Sequence, residues 1–158
     1  MKNLLFVLCI IILSGCSDIK YEKSININAP KVFIFGILED YENYPNIIPE
    51  FHTNVRIISE NHTGLGVQFI NNSKFGGYKI ESLYEVIEYR LNEYIKMENK
   101  SQYGLTELIV DDIGNNETKY TLINYVKIPI SMKNELYNAF DNELETIKKI
   151  SEYNYNKK

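Results

Sequence analysis

Between residues 54 and 127 the chain stays in strand-like alternation, broken only by turns. The runs fall near 54–60, 66–72, 77–88, 93–99, 104–112 and 117–127. The breaks are rich in turn-formers: NHTGLG, NNSKFGG, EYRLN, KSQYG and DIGNN. Gaps this short suit hairpins, whereas a parallel neighbour needs a long crossover. The series therefore predicts an antiparallel meander. After Pro129, from Ile130 to Glu152, apolar residues recur at Met132, Leu136, Phe140, Leu144, Ile147 and Ile150, the spacing of one helix face.

Upstream, residues 21–28 (YEKSININ) alternate with period two and put Tyr21, Lys23, Ile25 and Ile27 on one strand face. Ala29-Pro30 then opens a helix to about Asp40, with proline where its missing N–H costs nothing. A second short helix or turn, YENYPNIIPEF, is bracketed by Pro45 and Pro49. The expected fold is α+β: a curved antiparallel sheet of about seven strands around one long C-terminal helix, with two short helices after the first strand. A strongly curved sheet cannot close on a single helix everywhere, so a cavity is expected between them.

The start of the chain has a different character. Lys2 precedes an apolar run from Leu4 to Leu13, too short to span a bilayer, which takes roughly 20 residues. A positive flank, a short apolar stretch and small residues make an export signal. Its last residues, LSGC, resemble the bacterial lipobox, which implies cleavage before Cys16 and a lipid on its sulfur. The expected division is 1–15 as removed signal, 16–20 as lipidated N-terminus and short tether, and 21–158 as folded domain. Cys9 leaves with the signal, so no disulfide is expected. The expected location is outside the cytoplasm, on a bacterial membrane.

The formal charge is −4, and more negative without Lys2. That argues against nucleic acid as a partner and against a polybasic grip on anionic lipid. No cofactor is indicated and no metal motif occurs. His52 and His62 each lack a cysteine, carboxylate or second histidine at ligand spacing, and both read as solvated loop residues. Asp111-Asp112 before Gly114-Asn115-Asn116 reads as a hairpin turn, not a calcium loop.

Glu143 is the acidic residue of interest, because at 100° per residue it falls inside the apolar stripe of the long helix. A carboxylate there could orient a ligand's polar group, and burial would raise its pKa. On residues 78–86 one face holds Tyr78, Ile80, Ser82, Tyr84 and Val86, and the other holds Leu83 and Ile87. The Tyr84 side is taken as the concave one.

Several stretches together resemble the START-like helix-grip superfamily, also called SRPBCC or polyketide cyclase-like. They are SININAP, Ile34-Phe35, Asp40, Tyr44-Pro45, Pro49 and LETIKKISE, within a resemblance covering about residues 20–153. DYENYPNIIPEF is most similar to the coenzyme Q-binding and polyketide-cyclase-like branch. The resemblance implies a cavity for a hydrophobic small molecule or lipid, and no fixed catalytic set. Candidate ligand-binding residues are Phe69, Tyr84, Met97, Leu136, Phe140 and Glu143. No catalytic residue is assigned, and a monomer is expected. Val32 and Phe33 depart from the usual polar pattern and are candidate membrane contacts. The alternatives are a cyclase- or hydrolase-like enzyme on a hydrophobic substrate, and a protein-interaction lipoprotein whose cavity has collapsed.

Overall fold

The computed structural model describes residues 16–75 and 77–157, so the apolar run and Cys9 lie outside the described residues. Seven strands form one antiparallel sheet: β1 (Cys16–Ile27), β2 (His52–Ile57), β3 (Gln68–Phe75), β4 (Tyr78–Arg90), β5 (Tyr94–Asn99), β6 (Gly104–Gly114) and β7 (Glu117–Pro129). Their order across the sheet is β1-β7-β6-β5-β4-β3-β2. The meander is as expected, with β1 added to its last strand. Two short helices, α1 (Lys31–Leu38) and α2 (Tyr44–Ile47), follow β1, and the long helix α3 spans Lys133–Tyr155.

Local chemistry explains the joints. Pro30 caps α1 in extended geometry. The β6–β7 hairpin turns on Asn115 and Asn116, both at positive φ (55° and 58°), the geometry that a two-residue hairpin loop needs and asparagine tolerates. Register slips at Val86/Glu88 in β4 and Asp112/Gly114 in β6 mark irregularities of the kind that bend strands, helping the sheet to curve.

One expectation fails at the N-terminus. Residues 16–20, anticipated as a tether, are strand: Cys16 pairs with Pro129 and Ile19 with Val126. The reason is that β7 runs long enough to offer a partner. The inward alternation also continues upstream through buried Ile19 and Tyr21.

The registers give the sheet two ends. One holds Cys16, Pro129, the β5–β6 turn and the β3–β4 hairpin. The other holds Ile27, the β6–β7 hairpin, the β4–β5 turn and α1. Helix α3 starts at the first end and runs back to the second, where the Glu152 carboxylate accepts from the Asn28 backbone N–H at 2.9 Å. At this second end Ile27, Ile34, Phe35, Leu122, Leu144 and Ile147 are essentially inaccessible, and the interior is filled.

Candidate functional site

Towards the Cys16 end the interior is hollow. A cavity of about 120 Å³ lies between the first half of α3 and the concave face of the sheet. Leu136, Phe140 and Glu143 line it from α3, Phe69 from β3, Ile80, Ser82 and Tyr84 from β4, and Met97 from β5. All six candidate ligand-binding residues therefore lie on one cavity. Its floor is a three-ring stack: Tyr41 on Phe69 at 4.7 Å and Phe69 on Tyr84 at 5.4 Å, each pair tilted by 13°. Tyr41, the end ring of the stack, is fully buried and is not among the cavity-lining residues, whereas Phe69 and Tyr84 are.

Glu143 faces this space and keeps partial accessibility through it. Its carboxyl has no hydrogen-bond or ion-pair partner among the described residues. Burial alone pushes its pKa up to about 7. Near neutral pH it is thus poised between a hydrogen-bond donor and an anion.

The histidine reading needs correction. His52 is buried and lines the cavity, because β2 begins at this residue and its side chain turns inward. Its Nδ1–H donates to Asn71 Oδ1 at 3.0 Å, while Nε2 is buried with no partner. Burial lowers its pKa to about 4 despite that hydrogen bond, so the ring is neutral. Tyr44 and Phe51 bracket it, with ring centroids 5.2 and 4.8 Å away. His62 is exposed beside Glu42, as a loop histidine should be.

The sequence puts Ser82 on the concave face, but the rest of a polar belt escapes sequence reasoning. Asn71, Ser73, Ser82, Asn99 and Asn124 are buried and line the cavity from four strands. The belt is braced from within: Thr106 donates to Asn124 Oδ1 at 2.6 Å, and Asn99 Oδ1 accepts the backbone N–H of Ser101 at 2.9 Å. A usable signal existed. Asn71 and Ser73 share the parity of Phe69 and Phe75, so they face inward with them.

Val32 and Phe33 are not at this site. Strand β1 is 12 residues long, about 36 Å at ~3.3 Å per residue, and α1 follows its far end. Val32 is 60% exposed there, and Phe33 packs against Tyr155 of α3 at 6.1 Å. Among the described residues, no group of three or more His, Cys, Asp or Glu side chains comes together to hold a metal.

No protein-family profile matches the sequence, and no curated protein matches it. Solved structures do match in architecture. An aromatase/cyclase, Zhui, from Streptomyces sp. R1128 is 14% identical, with a TM-score of 0.71 over 86% of this chain and 94% of that one. A START superfamily protein from Mycobacterium smegmatis is 16% identical, with a TM-score of 0.68 over 89% and 99%. Ginseng major latex-like protein 151 from Panax ginseng is 15% identical, with a TM-score of 0.68 over 87% and 97%. At such identities the likeness is one of architecture, and it identifies the fold of this chain as the helix-grip fold.

Proposed function

We propose that this chain is a membrane-anchored protein that binds a hydrophobic small molecule, or one segment of a lipid, in the cavity under α3. The observation that carries the reading is an unfilled space walled by aromatic rings, with a belt of amides and hydroxyls on one side and a single carboxyl on the other. Apolar walls with a few convergent polar groups are what ligand sites look like. The size narrows the ligand. Drug-sized sites run from about 300 Å³ upward, and a cavity of about 150 Å³ holds a benzene-sized guest. A ring or a short acyl segment fits here, and anything longer must trail out of the mouth. The anchor is the acylated Cys16 implied by LSGC, and two or more acyl chains hold a protein stably where one does not.

The test is native mass spectrometry of the protein purified from its own host, beside Met97→Trp, which fills the cavity. A small-molecule adduct retained by the first and lost from a folded Met97→Trp supports the reading. An adduct on neither, or equally on both, overturns it.

A second reading has its own observation: Glu143 and His52, whose Nε2 is without a partner, both line the cavity. Such groups could serve as general acid and base in a cyclase-like reaction. In that case Glu143→Gln and His52→Asn bind the small molecule but leave it unconverted. If neither the parent nor the variants change it chemically, the protein is a binder.

A further inference from the structure

The cavity holds a carboxyl with no counter-charge beside it. Among the described residues that line the space, the charged ones are Glu143 and Lys127, and Lys127 is exposed to solvent. Burial is the only influence on the titration of Glu143, so no cation stands close enough to act on it. Its charge is felt instead by phenols on four elements: Tyr21 of β1, Tyr44 of α2, Tyr84 of β4 and Tyr120 of β7. Their hydroxyls are engaged elsewhere or alone. Tyr21 donates to Asp141 Oδ1 and Tyr44 to the Leu38 carbonyl, each at 2.6 Å. The Tyr84 hydroxyl is partnered by Asn99 and Ser82, and the buried Tyr120 hydroxyl has no partner. His52 stays neutral and adds no positive charge to the cavity.

A carboxyl is a costly choice for such a wall, because a buried charge needs a partner. Plain hydrogen-bonding capacity is supplied by amides and hydroxyls, as the opposite belt shows. What a carboxyl adds is the capacity to become an anion. Aromatic rings line the same space, among them Phe51, Phe69, Tyr84 and Phe140. Ring faces attract cations, most strongly where water is excluded. Carboxylate and rings therefore select the same kind of guest.

We infer that the guest is a compact organic ammonium with an apolar body, its N–H groups on the Glu143 carboxylate and its body against the Phe69–Tyr84 stack. The inference rests on the proposed ligand role of the cavity and names the chemistry of that ligand. The cavity measures about 120 Å³, against about 150 Å³ for a benzene-sized guest. That limits the body to a single ring or a short branched chain. The unpartnered Nε2 of His52 can accept a further N–H or a hydroxyl from the guest.

Whole processed protein is titrated calorimetrically with benzylammonium and with benzyl alcohol, which keeps the ring and offers a hydroxyl in place of the cation. At about pH 8, roughly one unit above the Glu143 value of about 7, most of the carboxyl is ionised. Benzylammonium should then bind about tenfold tighter than the alcohol, the scale of one charge-assisted hydrogen bond. Its affinity should fall as pH drops below about 7, where the carboxyl takes up a proton, while that of benzyl alcohol should not. His52 titrates near 4 and does not enter this range. Glu143→Gln should bind the two probes alike, and its retained binding of benzyl alcohol shows that the cavity is intact. Benzyl alcohol binding the parent as tightly as benzylammonium, or a preference that survives Glu143→Gln, overturns the ammonium. Dihexanoyl phosphatidylethanolamine carries the same cation on a lipid headgroup, and tighter binding of it overturns the apolar body. If neither ring binds, the inference fails, while the native mass measurement still decides whether the cavity has another guest.

Discussion

The two ends of this domain are built from the same elements and differ in what those elements enclose. At the α1 end, Leu144 and Ile147 of α3 share one apolar cluster with Ile27 and Leu122, all four essentially inaccessible, and the space is filled. Two turns earlier the same helix presents Leu136 and Phe140 to a void. The hydrophobic effect rewards burial at both ends, but close packing is present at only one. Stability and ligand capacity are thus assigned to opposite ends of one helix, and sequence changes should affect them separately.

The largest expected contrast uses one chemical change twice. Leu144→Ala should cost about 3–5 kcal/mol, because it opens a new cavity in a filled region. Leu136→Ala should cost about 1–2 kcal/mol, mostly lost transfer energy, because its neighbourhood is already hollow. Denaturant melts that gave equal losses would show that the two ends are packed alike.

The next contrast lies in pH. Glu143 has its pKa raised by folding, so it supports the fold fully below the unfolded value near 4.5 and less as pH climbs towards about 7. His52 has its pKa lowered, so its contribution is complete above about 6.5 and is lost as pH falls towards about 4. The windows overlap with opposite slopes, and each is on the order of 2–3 kcal/mol. Parent stability should therefore be nearly level between about pH 4.5 and 6.5. Glu143→Gln should expose the histidine slope, with stability falling as pH falls. His52→Asn should expose the glutamate slope, with stability falling as pH rises. Parallel curves for the two variants would place these groups in solvent.

The smallest effect belongs to the end ring of the aromatic stack. Tyr41 is buried with its hydroxyl unpartnered. Tyr41→Phe keeps the ring stack and removes the unsatisfied group, so it should stabilise by about 1 kcal/mol. A loss of that size would instead reveal a partner for the hydroxyl.

How much of this was legible follows from what each pattern encodes. Alternation and helical spacing report which side of an element is apolar. That sufficed for the strands, for α3 and for a cavity-facing Glu143. Polar side chains inside a cavity break the same code. Asn71 and Asn99 resemble outward residues unless their parity is followed from an apolar neighbour. His52 follows a proline-rich turn and opens β2, so no alternation precedes it to show which way its side chain points. An all-round apolar helix such as α1 carries no information about which end of the domain it covers, so the position of Val32 and Phe33 away from the cavity is not legible in it.

The pairing of β1 with β7 has a consequence for how the chain assembles. Strands β2 to β7 can form by successive hairpins between sequence neighbours. The partner of Cys16 is Pro129, so closing that pair spans most of the sequence and carries a correspondingly large loop-entropy cost. Contacts of that range generally slow folding and form late. The strand made first should therefore be among the last to join the sheet. Destabilising changes in β1, such as Ile19→Ala, should then accelerate unfolding and leave the refolding rate nearly unchanged. A refolding rate that fell in step with stability would put β1 in the folding nucleus.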